Sequence, residues 1–269
     1  MMAQQRYLMR TGKSFHLQEV NLILIIVSIF ALLLGSFYNV VGLRIPKGES
    51  IVTPRSHCTN CKTTLTGLDL VPVLSYVFLK GRCRHCQKSV SPIYPLFELL
   101  TAVLFVLAPH LMGWTYELIV AWTFISMLII IVISDLHYMI IPNKILLFFM
   151  GLFIFERFFI PYQTIPDHLI GLAVGFLIPF LVAVISKGGM GGGDVKLFAV
   201  LGFVLGWELV ILTFFLSSLI GMIAALFGMV VGKVKRGVPF PFGPSIALAA
   251  LITYFKGEQI LDWYFALHF

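Results

Sequence analysis

Apolar runs long enough to cross a bilayer, following one another along most of the chain, constrain this sequence more than any other feature. A helix needs about 20 mostly apolar residues to traverse the hydrocarbon. Candidates fall at roughly 20–43, 96–113, 117–135, 144–161, 168–186, 195–207, 209–232 and 243–256. The sixth is short and can continue into the seventh through Gly206-Trp207, so the sequence reads as eight spans, or seven. Of the 269 residues, 59% are hydrophobic and 12% charged, with a mean hydropathy of +0.98; soluble domains carry about 25% charged residues. The expected fold is an all-α polytopic membrane protein with the lipid bilayer as its solvent. The first run is longer than a signal-peptide core of about 7–15 residues and no A-x-A site follows it, so a membrane span is expected there.

The net charge of +7 is assigned to cytoplasmic loops rather than to a nucleic-acid surface. The polar segment 44–95 holds Arg44, Lys47, Arg55, Lys62, Lys80, Arg82, Arg84 and Lys88. With that segment in the cytoplasm, alternation also places Lys144, Lys187, Lys196, Lys233, Lys235 and Arg236 inside. Arg6, Arg10, Lys13, Arg157 and Lys256 fall outside. Fourteen of nineteen basic residues inside is the bias that sets membrane orientation. The three in the N-terminal tail run against it. This topology divides the chain into a tail and first helix (1–43), a cytoplasmic loop (44–95) and a transmembrane core (96–269).

Asp135, in IVISDLHYMIIPN, and Asp194, in GGMGGGDVKLFAV, each sit where an apolar run meets a polar break, and the topology puts both at the cytoplasmic face. Ionisable groups in membrane segments are costly and mark functional sites by default. Two adjacent carboxyls share a proton, which suits one to act as base and the other as acid. Five glycines among positions 188–193 allow close backbone approach and positive φ, so Gly191 and Gly193 become candidate substrate contacts, with Lys196 beside them as a contact or a cytoplasmic anchor, and Glu98, one turn into the second span, as a further candidate. Pro142 pushes Ile141 out of the α region. The competing structural reading makes Asp194 a helix cap and Asp135 a solvated end.

The only cysteines, Cys58-x-x-Cys61 and Cys83-x-x-Cys86, have the spacing of a tetrahedral zinc site built from four thiolates. Such a set leaves no open position for water, so the expected zinc is structural, a staple for a zinc-ribbon-like loop with few apolar residues. A cytoplasmic loop keeps thiols reduced. Arg82, Arg84 and Lys62 offset the negative centre, and His57 and His85 are left as neighbours.

GMGGGDVKL resembles the G-x-G-D motif of membrane aspartic peptidases. SDLHYMIIPN resembles the partner aspartate motif, and PFGPSIALA (241–249) the closing segment. GSFYNVVGLRIP (35–46) and YPLFELLT (94–101) match two more stretches in order. Together they are similar to the type IV prepilin leader peptidases. Asn143 stands where many members have aspartate, and Gly192 where an aromatic is common. The resemblance implies Asp135 and Asp194 as the catalytic pair. It also implies prepilin or pseudopilin precursors as substrates, with a basic leader before a hydrophobic helix. Leader removal would occur at the cytoplasmic face of a bacterial inner membrane, with cleavage after a glycine, and the cysteine tetrad agrees with the same family. Many relatives also N-methylate the new N-terminus with S-adenosylmethionine. Composition and spacing do not show that activity; 39–46, the cysteine loop and the span-two acid Glu98 are the candidate region.

His137 and Tyr138 either orient Asp135 or, the favoured reading, meet headgroups at the interface, and Glu156, Arg157, Asp167 and Glu208 are expected as solvated ends or caps. A proton-coupled transporter is the alternative; it predicts midplane acids and paired repeats, and neither is seen. A zinc-ribbon scaffold without activity would leave both aspartates unused.

Overall fold

A computed structural model describes residues 2–161, 164–232 and 240–268, with the backbone alone for 2–19 and 268. Lys233, Lys235 and Arg236, and the side chains of Arg6, Arg10 and Lys13, lie outside the described residues. The described residues are helical throughout, apart from loops and two isolated bridges: α1 Met2–Arg44, α2 Leu74–Phe78, α3 Ile93–Met112, α4 Glu117–Tyr138, α5 Asn143–Phe159, α6 Ile165–Ile185, α7 Gly192–Leu205, α8 Trp207–Val230 and α9 Gly243–His268. Every expected apolar run is helical. Among the described residues, five helices (α1, α3, α4, α6 and α8) are long and apolar enough to cross a membrane. α7, with 14 residues, extends about 21 Å, short of the hydrocarbon thickness. It does not continue into α8. Gly206, at φ 83° and ψ 174°, takes a conformation open to glycine and ends α7 there.

The chain forms two compact units. Unit 1 holds Met1–Asn39 and Arg55–His110. Its helices α1 and α3 approach closely at Gly35, where a Cβ would lie 2.8 Å from Glu98 Cα. The intervening loop carries the cysteines.

Unit 2 holds Val40–Pro54 and Leu111–Phe269. α4 is its core: 72% of its most apolar stretch is buried, against 22% for α6 and 28% for α8. α6 instead turns Ile170, Leu177 and Val184 outward, as a lipid-facing helix does. Helix entry follows local chemistry: Thr164 and Asp167 bond reciprocally at the start of α6, with Pro166 in the first turn. Gly171 and Gly175 face α7, and a Cβ at either, or at Gly202, would enter the facing backbone. This small-xxx-small pattern brings helices together by van der Waals contact where lipid supplies no hydrophobic drive. α5 and α9 each pack against both α4 and α7, so the aspartate-bearing helices share two supports.

Two expectations fail at the end of unit 2 remote from the aspartates. Glu156 and Arg157 are not solvated; they are 9% and 7% exposed. Arg157 forks onto Glu117 at 2.7 and 2.8 Å, Glu117 also accepts the Tyr254 hydroxyl at 2.7 Å, and Glu156 accepts the Thr123 hydroxyl at 2.6 Å. A charge that low-dielectric surroundings penalise must find such partners. Asp167 does cap α6, and Glu208 is exposed.

Candidate active site and metal centre

Asp135 lies in the last turn of α4, which stops where Met139 turns left-handed at φ 53°. It is 5% exposed, so it is not the solvated helix end that the structural reading allowed. Its Oδ2 accepts the Gly243 N–H at 2.7 Å. A Cβ at Gly243 would fall 2.7 Å from the same oxygen, so only glycine lets the start of α9 approach this closely.

Asp194 is half-buried in the first turn of α7 and accepts the Gly191 N–H at 3.2 Å. The capping geometry is therefore present. The two acids stand at the same end of unit 2, Asp135 in the last turn of α4 and Asp194 in the first turn of α7. Gly193 packs against Ile141, where a Cβ would be 3.0 Å from Ile141 Cβ, while Gly191 and Gly192 are exposed. Lys196 Nζ donates to Asn143 Oδ1 at 3.1 Å, tying α7 to the start of α5. Neither of the residues after Asp135 reaches its carboxylate through a described bond: His137 Nδ1 is 2.9 Å from the Ile133 carbonyl, and Tyr138 lies under Lys47, 5.3 Å from its ring centre.

Sequence reasoning missed Gly243 as a donor. Its position in the closing PFGP segment was visible, but nothing local links it to an acid 108 residues away.

The four cysteines of unit 1 bring their Sγ atoms within 4.8 Å of one another. Cys58 and Cys86 are 3.8 Å apart, Cys61 and Cys83 4.0 Å. A tetrahedral site with metal–sulfur bonds of about 2.3 Å needs sulfurs about 3.8 Å apart, so the cluster fits a metal. Hydrogen bonds from the Lys88 backbone, and then from Asn60, lower the Cys86 thiol to about 6.

The knuckles are structural copies. His57 bridges Thr64 and Arg82 bridges Ser89; Cys58 and Cys83 take N–H bonds from Lys62 and Gln87, which both have positive φ. The fold thus repeats at an offset of 25 positions, a repeat that sequence inspection did not find because the side chains at its turns differ. Arg84 binds Asp69 at 2.8 Å, so part of its charge is answered there rather than at the sulfurs. His57 Nδ1 lies 3.1 Å from the Arg55 carbonyl oxygen.

Glu98 also belongs to unit 1. It is 7% exposed and accepts the Val73 N–H at 2.7 Å and a bond from Ser36. Beside it, Asn39 donates to the Gly35 and Tyr94 carbonyls while its Oδ1 is buried without a partner.

An all-helical membrane protein with paired acids at one end of a bundle and a clustered cysteine tetrad defines the class. Residues 29–112 match the bacterial Peptidase A24 N-terminal domain and residues 122–226 the type IV leader peptidase family. The chain is 44% identical over 239 residues to a prepilin leader peptidase/N-methyltransferase of Bacillus subtilis (strain 168), covering 89% of this chain and 96% of that protein. Proteins of the same name from Aeromonas salmonicida (strain A449) and Pseudomonas aeruginosa are 32% and 31% identical. These matches cover 89% and 88% of this chain, and 92% and 91% of those proteins. No solved structure matches. The chain belongs to the type IV leader peptidase family.

Proposed function

We propose that Asp135 and Asp194 are the catalytic pair of a membrane aspartic endopeptidase that removes the leader from prepilin or pseudopilin precursors. The observation that carries this reading is two carboxyls at one end of a bundle, on separate helices braced by the same neighbours and drawn together where Gly193 packs on Ile141. One carboxylate takes a proton from water as the water oxygen bonds to the scissile carbonyl carbon. The other carboxyl hydrogen-bonds the carbonyl oxygen, and the C–N bond breaks as the leaving amine takes up a proton. Like charges at short range favour the singly protonated pair this chemistry needs, and its titration belongs to the pair.

The substrate's basic leader stays in the cytoplasm and its apolar helix in the bilayer, which brings the scissile bond to the inner membrane face. Gly191, Gly193 and Lys196 are the substrate contacts in this reading: exposed Gly191 beside the acid, Gly193 for close approach, Lys196 for orientation. The working division is 1–43, 44–95 as the metal-binding loop, and 96–269 as the peptidase core. Zinc is the metal assigned to Cys58, Cys61, Cys83 and Cys86, in a closed structural site.

S-adenosylmethionine is the methyl donor for a second activity, N-methylation of the new N-terminus. Bound, it supplies an electrophilic methyl group on a sulfonium. The buried acceptors of unit 1 suit cationic or N–H-bearing partners: Glu98 presents a carboxylate and Asn39 an unpartnered carbonyl oxygen. These two residues would hold and orient the reacting groups. The transporter reading receives no support from the relatives.

The test is leader removal from a purified prepilin by the reconstituted protein and by Asp135→Asn and Asp194→Asn. Cleavage by either variant at the wild-type rate would sink the dyad.

A further inference from the structure

α9 meets α4 at two places. At one, the Gly243 N–H donates to Asp135 Oδ2 at 2.7 Å. At the other, the Tyr254 ring stacks on Phe124, centroids 4.9 Å apart and planes 24° from parallel, and the hydroxyl donates to Glu117 at 2.7 Å. Eleven positions separate Phe124 from Asp135 on α4, and eleven separate Gly243 from Tyr254 on α9. That is about 16 Å along either helix at 1.5 Å per residue. The two antiparallel helices are therefore matched in spacing between their contacts.

The remote contact is itself fixed. Arg157 of α5 grips both oxygens of Glu117 and is buried. A buried pair of this kind is weak evidence for stability and is best attested as a device that fixes register. Register matters here because sliding α9 by one residue moves the Gly243 donor by about 1.5 Å, enough to lose a 2.7 Å bond. In the other direction there is no slack, since the backbone at Gly243 already touches the carboxylate.

We propose that Tyr254, held by Glu117 and Arg157, is a positioning residue for Asp135: it sets the register of α9 on α4 and so delivers the Gly243 N–H to the carboxylate. This inference rests on the reading of Asp135 as catalytic. It gives a use to a polar cluster, Glu117, Arg157 and Tyr254, that the hydrolysis does not touch.

The experiment uses the full-length protein in lipid nanodiscs with prepilin as substrate. Tyr254→Phe keeps the ring stack and removes the hydroxyl. Leader cleavage should lose about two- to tenfold in kcat, the worth of one hydrogen bond, with KM unchanged. Amide exchange over residues 243–248 should accelerate while α6 and α7 keep their protection.

Combined with Gly243→Ala, Tyr254→Phe should add nothing further. Sites about 16 Å apart otherwise add. If Gly243→Ala is too slow to assay, the exchange result decides. Unchanged exchange at 243–248, unchanged kcat despite faster exchange, or additive effects each overturn the register role. Cleavage retained in Asp135→Asn would instead overturn the catalytic reading beneath it.

Discussion

In unit 1 four cysteines are gathered by two short loops in which one sulfur-bearing residue, Cys83, is buried and the other three are half-exposed. In unit 2 the aspartates sit on helices whose backbones touch through glycine and whose inward faces are almost wholly buried. The first arrangement gets its order from hydrogen-bonded turns that set four thiols at the spacing of metal ligands. The second gets it from close packing, with lipid unable to push the helices together. Groups held by a ligand can be lost with the ligand; groups held by packing are lost only when the packing is overfilled.

The widest separation between the two units is expected at the acids. Asp135→Asn or Asp194→Asn should each slow leader cleavage by on the order of 10²–10⁴-fold, the usual worth of a positioned acid or base. The metal content of unit 1 should be unchanged by elemental analysis. A Gly202→Val variant comes next. Its side chain would enter α6 backbone at Gly171, and overpacking costs about 1–3 kcal/mol or more. Thermal unfolding in detergent should shift down, again with metal retained. In the opposite sense, Cys58→Ser/Cys61→Ser should abolish metal binding and open trypsin sites at Arg82, Arg84 and Lys88. Unit 2 should stay protected in the same digest; simultaneous proteolysis of α6–α8 would show that the units do not hold themselves separately.

The smallest effect concerns unit 1 alone. The Thr66 hydroxyl, and then Arg84, hold the Asp69 carboxyl down at about 2. A depressed folded-state value means that its stabilisation is full above the ordinary carboxylate range and is lost as pH falls from about 4 towards about 2. The difference in unfolding temperature between wild type and Asp69→Asn should be present at about pH 7 and shrink below about pH 4. A difference that does not change with pH would remove the charge from the account.

Much of this was legible because its signals are local. An apolar run, a Cys-x-x-Cys pair and an acid at the edge of a span are each written within a few residues, and the structure keeps the helices where those patterns lie. Contacts between distant segments were not legible. Gly243 reaches Asp135 across 108 positions, and Arg157 reaches Glu117 across 40. Nothing near Glu156 or Arg157 distinguishes a helix end in water from one turned into a bundle. The break at Gly206 was ambiguous for a related reason: a glycine between apolar residues permits both a continuous helix and a sharp turn, and its backbone angles decide.

The bond from the Gly191 N–H to Asp194 Oδ2 has a mechanical consequence. An oxygen that takes up a proton accepts less strongly from an amide, so each proton arriving on Asp194 Oδ2 slackens the tether on the glycine run in front of it. Proton occupancy of this oxygen and the hold on Gly191 are then one variable rather than two.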